Sequence, residues 1–550
     1  MLRNDVDINL YSRIMKILLN KKEINKSLLT DGISLPKEIY FDLFKLLGKR
    51  LNKGDKEGVT IVIDNKPYEA SLNNSNAKDR KDELLQFRWS MDIGNKMRSL
   101  FTDSKPKLVT KDGGAVKGKT QQITEYVNII ATNPHTYMFD CHYKLTDAEY
   151  ALCKENFSYI AAAKAKPFLI LGGFSGTGKS QKVKELAYLT CPNVDDLQKG
   201  QDPGNYCLIS VKPNWHDSTE LLGYYSNIGR KYVCTDFMKF IVKALKYPLV
   251  PFFVCMDEMN LAPVEEYFAE YLSVLESRKS EGGRVVSSAL VSSDIFTRKY
   301  EEYDIFGTLW LTDKDAAIVD ELKKNGLCLP QNLIVIGTVN MDDTTNSFSR
   351  KVIDRAMTFE TKIEDIEAIS YFNLNNDALS YKNIACPERF INDQVRVLEI
   401  MKEPTPDFKI EAGETDINKE FTQFINEINK AMGNGKGYDT KEGIGISPFQ
   451  VSYRVLNEAV LYYRSLQVLY PEQALMEKVF NDILMMKVLP RIEGEQDRAK
   501  KPLEGLQQFI SKRIGDDADK RVHWKDSLQK IDYMLRPFGK GGDGFTTFWQ

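Results

Sequence analysis

One octapeptide in this 550-residue chain predicts its fold: Gly173-Phe174-Ser175-Gly176-Thr177-Gly178-Lys179-Ser180. It matches the Walker A pattern G-x-x-x-x-G-K-[ST], in which glycines let backbone N–H groups converge on phosphate oxygens. An apolar run, Phe168-Leu-Ile-Leu171, precedes it, and Val183 and Leu186 follow at helical spacing. We therefore predict a strand, a phosphate-binding loop and a helix. Lys179 would neutralise the β- and γ-phosphates, and the Ser180 hydroxyl would bind Mg²⁺.

A second motif lies 78 residues beyond Lys179. The apolar run Phe252-Phe-Val-Cys-Met256 ends there in Asp257 and Glu258. This pattern is typical of a Walker B strand, in which Asp257 lies near the Mg²⁺ and Glu258 polarises the attacking water. An apolar run that ends in two acids is weak evidence alone, and its pairing with the phosphate-binding loop makes it a catalytic candidate.

A third apolar run begins 76 residues after Asp257 and ends in a polar side chain: Leu333-Ile-Val-Ile-Gly-Thr-Val-Asn340. We expect Asn340 to reach between the first two strands and orient the water. In isolation this asparagine would be read as a turn residue, so its assignment depends on the other two motifs. Between Pro167 and about Glu360, strand patterns alternate with helix patterns, which predicts a parallel sheet of the α/β class.

Two arginines downstream, Arg350 and Arg355, lie on or beside a predicted helix. A ring-forming NTPase supplies positive charge from such a position to the γ-phosphate of its neighbour. Both residues are candidates for this role, and the sequence does not choose between them.

Together these motifs resemble the McrB branch of the AAA+ family, the NTPase subunits of modification-dependent restriction systems. The resemblance is close over residues 160–365 and looser over 366–490. It rests on the Walker A loop, on Asp257-Glu258-Met259-Asn260-Leu261-Ala262 and on Gly337-Thr338-Val339-Asn340-Met341-Asp342-Asp343.

One departure from the family pattern concerns the segment after the third strand. In that family a Met-Asn-x-x-Asp-Arg signature helps to hold the catalytic water. This chain keeps Asn340 and the second acid, Asp343, which the resemblance makes a catalytic candidate, but it lacks the arginine. GTP, which the family prefers, and ATP therefore both stay open as substrates.

The resemblance implies a P-loop NTPase core with a parallel sheet, a helical C-terminal lid, a self-assembled ring of six copies and Mg²⁺ as cofactor. Arg454 follows Ser447-Pro448 near the start of a lid helix, where related proteins place a nucleotide-sensing arginine; an ordinary surface arginine is the alternative. The chain shows no Asp…Glu-x-Lys nuclease core, so a separate McrC-like nuclease would cut foreign DNA in phage defence.

The N-terminal region reads differently from the core. Residues 1–50 are predicted to be helical, with Ile14, Leu18 and Leu19 on one face and Ile39, Leu43 and Leu46 on another. Beyond them, the pattern predicts a hairpin over Gly58–Leu72, strands at Leu84–Trp89 and Glu125–Ile130, and a helix near Ile93–Phe101. The sequence thus predicts a helical segment (1–50), an α+β domain (51–155), the NTPase core (156–365) and a helical lid and C-terminal region (366–550).

The α+β domain is a candidate for DNA recognition. Its segments Asp64–Leu72, Gln86-Phe87-Arg88 and Asn95–Phe101 are similar to the EcoRII-type N-terminal effector domain, a DNA-binding fold. Five lysines in the segment Thr102–Gln122 could contact phosphates, and Arg88 and Trp89 could contact bases. A solvated loop and a protein-docking domain are the alternatives. The lysines are Lys105, Lys107, Lys111, Lys117 and Lys119.

Composition limits the class of protein. Residues 1–160 carry a net charge of +5 and the remainder −7, which permits a nucleic-acid partner at the front without requiring one. Eight scattered cysteines, no Cys-x-x-Cys pair and four histidines argue against a zinc site or a disulfide framework. Neither a membrane span nor a secretory signal is visible, so a cytoplasmic location is expected.

Two rival functions remain at this point. One is a MoxR-like AAA+ ATPase that remodels a protein client docked on residues 1–160. The other is a catalytically inactive scaffold that binds nucleotide in order to assemble. Intact Lys179, Ser180, Asp257, Glu258 and Asn340 argue against the scaffold.

Overall fold

The computed structural model of the chain has two large sheets, one near the N-terminus and one that carries the phosphate-binding loop. It describes residues 16–63, 66–75, 82–101, 104–110, 116, 123, 125–142, 147–281, 284–341, 346–361, 380–382, 384, 387–392, 395–397, 415–433, 447–470 and 473–549. No helix in these stretches is both long and apolar enough to cross a membrane.

The N-terminal sheet contains seven strands and is surrounded by short helices. The elements are β1 (Lys16–Glu23), β2 (Gly32–Ser34), α1 (Tyr40–Leu47), β3 (Lys56–Ile63), β4 (Lys66–Asn74), β5 (Leu85–Trp89), α2 (Met91–Leu100), α3 (Ser104–Leu108), β6 (Tyr126–Asn133), β7 (Thr136–His142) and α4 (Asp147–Cys153). The strand order is β1-β6-β7-β3-β4-β5-β2, and every neighbouring pair is antiparallel except β3 and β7.

The structure confirms several predicted elements in this region. The hairpin forms as β3 and β4, which pair from Lys56↔Asn73 to Ile63↔Lys66. The two further strands form as β5 and β6, and the helix forms as α2. Successive side chains of β5 alternate between buried and half-buried, as expected for a strand with one face on a core.

Among the described residues of 1–50, the predicted helical structure is confirmed over Lys37–Ile39 and α1 and is wrong for Lys16–Glu23 and Gly32–Ser34. Lys16–Glu23 is a strand that pairs antiparallel with β6, and Gly32–Ser34 is a strand that pairs with β5. A short apolar run fits a strand as well as a helix, and here the free backbone edge of β6 decides the outcome. These strands therefore belong to the same sheet as the strands between residues 56 and 142, and the sheet extends across the predicted boundary at residue 50. Ile14 lies outside the described residues.

The lysine-rich segment Thr102–Gln122 is described only in part. Lys105 and Lys107 lie on the short helix α3, so this part of the segment is helical and not the loop that its composition predicts. Lys111, Lys117 and Lys119 lie outside the described residues.

The second sheet confirms the predicted α/β core. Its five strands are β8 (Phe168–Gly173), β9 (Tyr206–Ser210), β12 (Phe252–Asp257), β17 (Leu333–Asn340) and β18 (Met357–Glu360). They lie in the order β18-β8-β17-β12-β9, and all neighbours are parallel. The three motif-bearing strands, β8, β17 and β12, are therefore adjacent, and their carboxyl ends meet at one edge.

Helices and short hairpins connect and cover this sheet. The hairpins are β10 (Tyr224–Ser226) with β11 (Lys231–Val233) and β13 (Lys279–Glu281) with β14 (Arg284–Val286). Strands β15 (Ala289–Val291) and β16 (Leu327–Cys328), far apart in sequence, also pair antiparallel. The helices are α5 (Phe157–Ala165), α6 (Lys179–Thr190), α7 (Asp195–Gln198), α8 (Thr219–Leu222), α9 (Asp236–Lys246), α10 (Val264–Tyr267), α11 (Ala269–Glu276), α12 (Ser293–Thr297), α13 (Ile305–Thr308), α14 (Ala316–Asn325) and α15 (Arg350–Ile353).

Both faces of the parallel sheet are buried in separate cores. Phe168 and Ile170 of β8 face the core built with α9, α11 and α14. Leu169 and Leu171 face the core built with α5, α6 and the C-terminal helices. Because side chains alternate along a strand, the continuous apolar run of β8 supplies both cores at once.

The C-terminal region is helical and packs directly on the sheet core. Its elements are α16 (Thr415–Met432), α17 (Tyr453–Leu469), α18 (Met476–Ile483), β19 (Glu493–Glu495), α19 (Gln496–Ile514), α20 (Ala518–His523), α21 (Lys525–Leu535) and β20 (Phe545–Thr547). The sequence predicts helices over residues 421–432, 453–469 and 471–489. Helices α16 and α17 confirm the first two. In the region of the third, α18 begins at Met476 and continues from Leu484 to Val488 as a π-helical turn.

Trp524 provides a test of the C-terminal core. Its side chain is fully buried, and its indole Nε1 donates a hydrogen bond to Glu477 at 2.8 Å. We expect Trp524→Ala to lower the free energy of unfolding by about 3–5 kcal/mol, because it leaves a large cavity. Trp310→Ala is the matched control, since Trp310 is 55% exposed and its removal should change stability little. Equal effects in chemical denaturation would contradict the packing described here.

Candidate functional site

The phosphate-binding loop joins the end of β8 to the start of α6. Gly176 and Gly178 have φ angles of +81° and +74°, which side chains with a Cβ rarely adopt. Gly173 is constrained by space, since a Cβ there would lie 2.0 Å from the Thr361 hydroxyl oxygen. The backbone path of the loop thus requires the glycines of the motif. Three loop residues, Phe174, Ser175 and Gly176, are exposed to solvent.

Lys179 lies inside the loop and is 6% exposed. Its Nζ donates hydrogen bonds to the carbonyl oxygens of Gly173 (2.9 Å) and Phe174 (2.6 Å). The ammonium group is therefore held at the place where phosphate oxygens would compete with two carbonyls for it. Thr177 supports this arrangement, because its hydroxyl donates to the Phe174 carbonyl at 2.9 Å and contacts the Thr361 hydroxyl at 3.0 Å.

Asp257 connects the loop to the two neighbouring strands. Its Oδ1 accepts hydrogen bonds from the Ser180 hydroxyl at 2.6 Å and from the Thr338 hydroxyl at 2.9 Å. A serine hydroxyl and an aspartate carboxylate in contact are oxygen donors of the kind that Mg²⁺ prefers. The residues present therefore fit the Mg²⁺ site that the sequence predicts.

Glu258 and Asn340 are brought together as the motifs predict. The Asn340 side-chain Nδ2 donates to Glu258 Oε1 at 3.2 Å, and both side chains lie at the carboxyl edge of the sheet. Glu258 has a left-handed backbone (φ 52°, ψ 50°), which is uncommon for a residue with a side chain. Such conformations concentrate at functional sites, where the surrounding contacts hold them in place.

Thr338 is a site residue that the motif analysis did not single out. Its hydroxyl donates to Asp257 and accepts from the backbone N–H of Glu258 at 3.0 Å, so it aligns both acids of β12. Thr338 is 2% exposed and is a polar residue within the apolar run of β17. One sequence signal could have identified Thr338: it is a hydroxyl residue within an apolar run, in a strand that lies beside the predicted Walker B strand.

Two further catalytic candidates are Asp343 and Arg350. Asp343 is outside the described residues. Arg350 donates to the Pro448 carbonyl at 2.6 Å and lies over the Phe449 ring at 5.0 Å, so it contacts the segment before α17. Burial lowers the pKa of Arg350. The structure therefore does not bring Arg350 to the phosphate-binding loop of its own chain.

Arg355 and Arg454 converge on Glu276 at the opposite end of the sheet. Arg454 Nη2 lies 2.7 Å from Glu276 Oε2, and Arg355 Nε lies 3.9 Å from Glu276 Oε1. Lys166, just before β8, also binds Glu276 at 2.8 Å. Burial opposes the charge of Glu276, yet the three cations hold its pKa below the usual value. Neither arginine contacts the nucleotide loop, which follows the other end of β8.

Of the two side chains predicted to contact bases, the structure buries Trp89 and leaves Arg88 partly exposed. Trp89 is 8% exposed and packs edge-on against Phe139, with ring centroids 5.7 Å apart. Arg88 forms an ion pair with Asp31. In this structure Trp89 is a packed core side chain and Arg88 is one half of a surface ion pair.

Comparisons with known proteins give limited information. Residues 398–542 match a family described as "Domain of unknown function (DUF8727)". No curated protein matches the sequence. Among the solved structures that match is a Cytophaga hutchinsonii protein provisionally described as an ATPase, with 12% identity, a TM-score of 0.34, and coverage of 62% of this chain and 84% of that one. A TM-score this low does not establish a shared fold, so function is argued from the geometry of the site.

Thr338 can be tested without an activity assay. We expect Thr338→Val to destabilise the fold by about 1–3 kcal/mol, because it leaves the Glu258 N–H without its acceptor. Thr358→Val is the matched control: Thr358 is also buried in a strand of this sheet, and its hydroxyl has no hydrogen-bond partner among the described residues. Chemical denaturation should show a loss for the first variant alone, and equal effects would contradict the role given to Thr338.

Proposed function

We propose that this protein is a Mg²⁺-dependent nucleoside triphosphatase. The observation that carries the proposal is the convergence of five side chains at the carboxyl edge of the parallel sheet. They are Lys179, Ser180, Asp257, Glu258 and Asn340. Strands β8, β17 and β12 supply them from adjacent positions, so phosphate-binding and water-activating groups meet at one place.

Each residue has a role that follows from its contacts. Ser180 and Asp257 would hold the Mg²⁺, which when bound neutralises charge on the β- and γ-phosphates. Lys179 would exchange its two carbonyl acceptors for phosphate oxygens when nucleotide enters. Glu258 would accept a proton from the attacking water, and the amide of Asn340, already on Glu258 Oε1, would keep that carboxylate oriented.

The arginine positions support hydrolysis between copies of the chain. Arg355 lies at the start of β18, at the amino edge of the sheet, and so cannot act on the nucleotide beside its own loop. A ring in which one copy presents this edge to the next copy's loop would give Arg355 a γ-phosphate to contact. Arg350, which donates to the Pro448 carbonyl, is the second candidate for this role. The number of copies in the ring, six, is taken from the family resemblance.

The finer assignment rests on the sequence resemblance. A McrB-like motor that recognises DNA through residues 51–155 and drives a McrC-like nuclease is the first form of the proposal, with GTP or ATP as substrate. The second form is a MoxR-like ATPase that remodels a protein client. The buried Trp89 removes one of the side chains expected to contact DNA, which leaves the lysines near Thr102–Gln122 as the candidates for phosphate contacts.

Glu258→Gln tests the catalytic assignment. We expect hydrolysis to fall by about 10²–10⁴-fold while nucleotide binding is kept, because only the proton acceptor is lost. Release of phosphate from ATP and from GTP would be measured with Mg²⁺ present. The control is Glu281→Gln, an exposed glutamate paired with Lys279 on a surface hairpin, which should hydrolyse at the wild-type rate. Wild-type hydrolysis by Glu258→Gln would remove the Walker B assignment.

Mixing two inactive variants tests whether Arg355 acts between copies. We expect Arg355→Ala to bind nucleotide but hydrolyse it slowly, and Lys179→Ala to lose tight binding, because the phosphates lose their cation. Mixed together, they should recover part of the activity, since some sites would pair an intact loop with an intact arginine. Wild-type turnover by Arg355→Ala would exclude Arg355, and the same mixture with Arg350→Ala then tests the other candidate.

A further inference from the structure

A second cavity lies at the amino edge of the parallel sheet, away from the phosphate-binding loop. Its volume is about 570 Å³, within the range of small-molecule sites. One wall is formed by the ends of α5 and α11, and the other by the first turns of α17 and residues 395–397. Much of the lining is apolar and comes from Leu275, Val395, Val397, Leu456 and Val460.

Arg278 gives this cavity its chemical character. It lines the cavity, is 5% exposed, and donates one hydrogen bond from Nη2 to Asn392 Oδ1 at 3.0 Å. Its recorded partner is thus a neutral amide, and no carboxylate among the described residues pairs with it. Burial lowers the pKa of Arg278 to about 10, so the guanidinium is still charged at neutral pH. A buried cation without an anion is unfavourable unless something compensates the charge.

The two carboxylates that line the cavity, Glu276 and Glu458, already bind other cations. Lys166 and Arg454 bind Glu276, and Glu458 binds Lys487 at 2.5 Å and Lys166 at 3.4 Å. The two carboxylates are therefore shared among other cations and do not compensate Arg278. An arginine fork matches the oxygens of a carboxylate or a phosphate, and the apolar walls match a hydrocarbon or aromatic body.

We propose that this cavity is a binding site for a small organic oxyanion, a carboxylate or a phosphate ester with an apolar body, whose charged group pairs with Arg278. The site is separate from the nucleotide loop, which follows the carboxyl end of β8 while Lys166 precedes its amino end. The proposal does not depend on nucleoside triphosphatase activity. Arg454 lines the cavity, so an occupant would lie next to the arginine that shares Glu276 with Arg355.

Three naphthalene probes test the anion preference on the full chain. Isothermal titration calorimetry would compare 1-naphthyl phosphate, 1-naphthoate and the neutral 1-naphthol. We expect one or both anions to bind at least about tenfold more tightly than 1-naphthol, because an ion-paired hydrogen bond adds to the same apolar contact. The tighter of the two identifies the headgroup. Equal binding of all three probes, or no binding, overturns the proposal.

Variants locate the binding. Arg278→Met should abolish the anion preference; some loss of stability is expected as well, because the buried Asn392 Oδ1 loses its donor. Leu456→Trp, which fills the cavity without altering its charge, should also prevent binding. Arg513→Met is the control, since Arg513 is ion-paired with Glu477 at 2.9 Å in the C-terminal region and its loss should not affect the probes.

Two further results distinguish this site from the nucleotide site. Lys179→Ala should bind the anionic probes as the wild type does, whatever it does to nucleotides. If Lys179→Ala loses probe binding and Arg278→Met keeps it, the probes bind the phosphate loop and the proposal is wrong.

Discussion

The hydrogen bonds to one oxygen of Asp257 hold the candidate site together. Ser180, in the first turn of α6, and Thr338, in the middle strand β17, both donate to it, so one carboxylate joins the loop helix to two strands. Thr338 also accepts a hydrogen bond from the Glu258 N–H, which fixes the backbone that carries the candidate general base. Without this oxygen, Ser180 on the phosphate-binding side and Thr338 on the water-activating side would lose their common hydrogen-bond acceptor. The position of the Asp257 carboxylate therefore constrains the other residues of the site.

The two edges of the parallel sheet carry different chemistry. The carboxyl edge gathers the groups that suit a nucleotide and Mg²⁺, whereas the amino edge gathers cations around Glu276. This division follows from parallel strand direction, since every strand begins at one edge and ends at the other. A residue just before β8 or β18, such as Lys166 or Arg355, therefore cannot contact a nucleotide bound at the loop that follows β8 in the same chain. Such a residue could contact only a nucleotide bound to a second chain, or a second ligand.

Buried charges and aromatic contacts join the C-terminal region to the core. Lys487 donates to the carbonyls of Asp354 and Ala356, and Lys530 binds Glu360 at 2.7 Å. Trp549 packs on Phe348, with centroids 5.0 Å apart, and lies beside Gly172. All of these contacts reach β18 or the base of the phosphate-binding loop. The region that matches a domain of unknown function is thus in physical contact with the elements that support the nucleotide site.

The sequence alone determined the parts of the protein in which local chemistry decides the structure. The spaced glycines and the lysine after them predict a phosphate loop behind the apolar run Phe168–Leu171, and two further apolar runs, which end in Asp257-Glu258 and Asn340, predict strands of the same parallel sheet. The tertiary structure decided the parts that depend on distant partners. Strand β1 forms because β6 offers a backbone edge, and Thr338 becomes a site residue because β12 lies beside it. Within the described part of the chain no carboxylate pairs with Arg278, because Glu276 binds other cations. Spacing along a chain cannot specify such pairings, since they arise only when segments far apart in sequence are packed together.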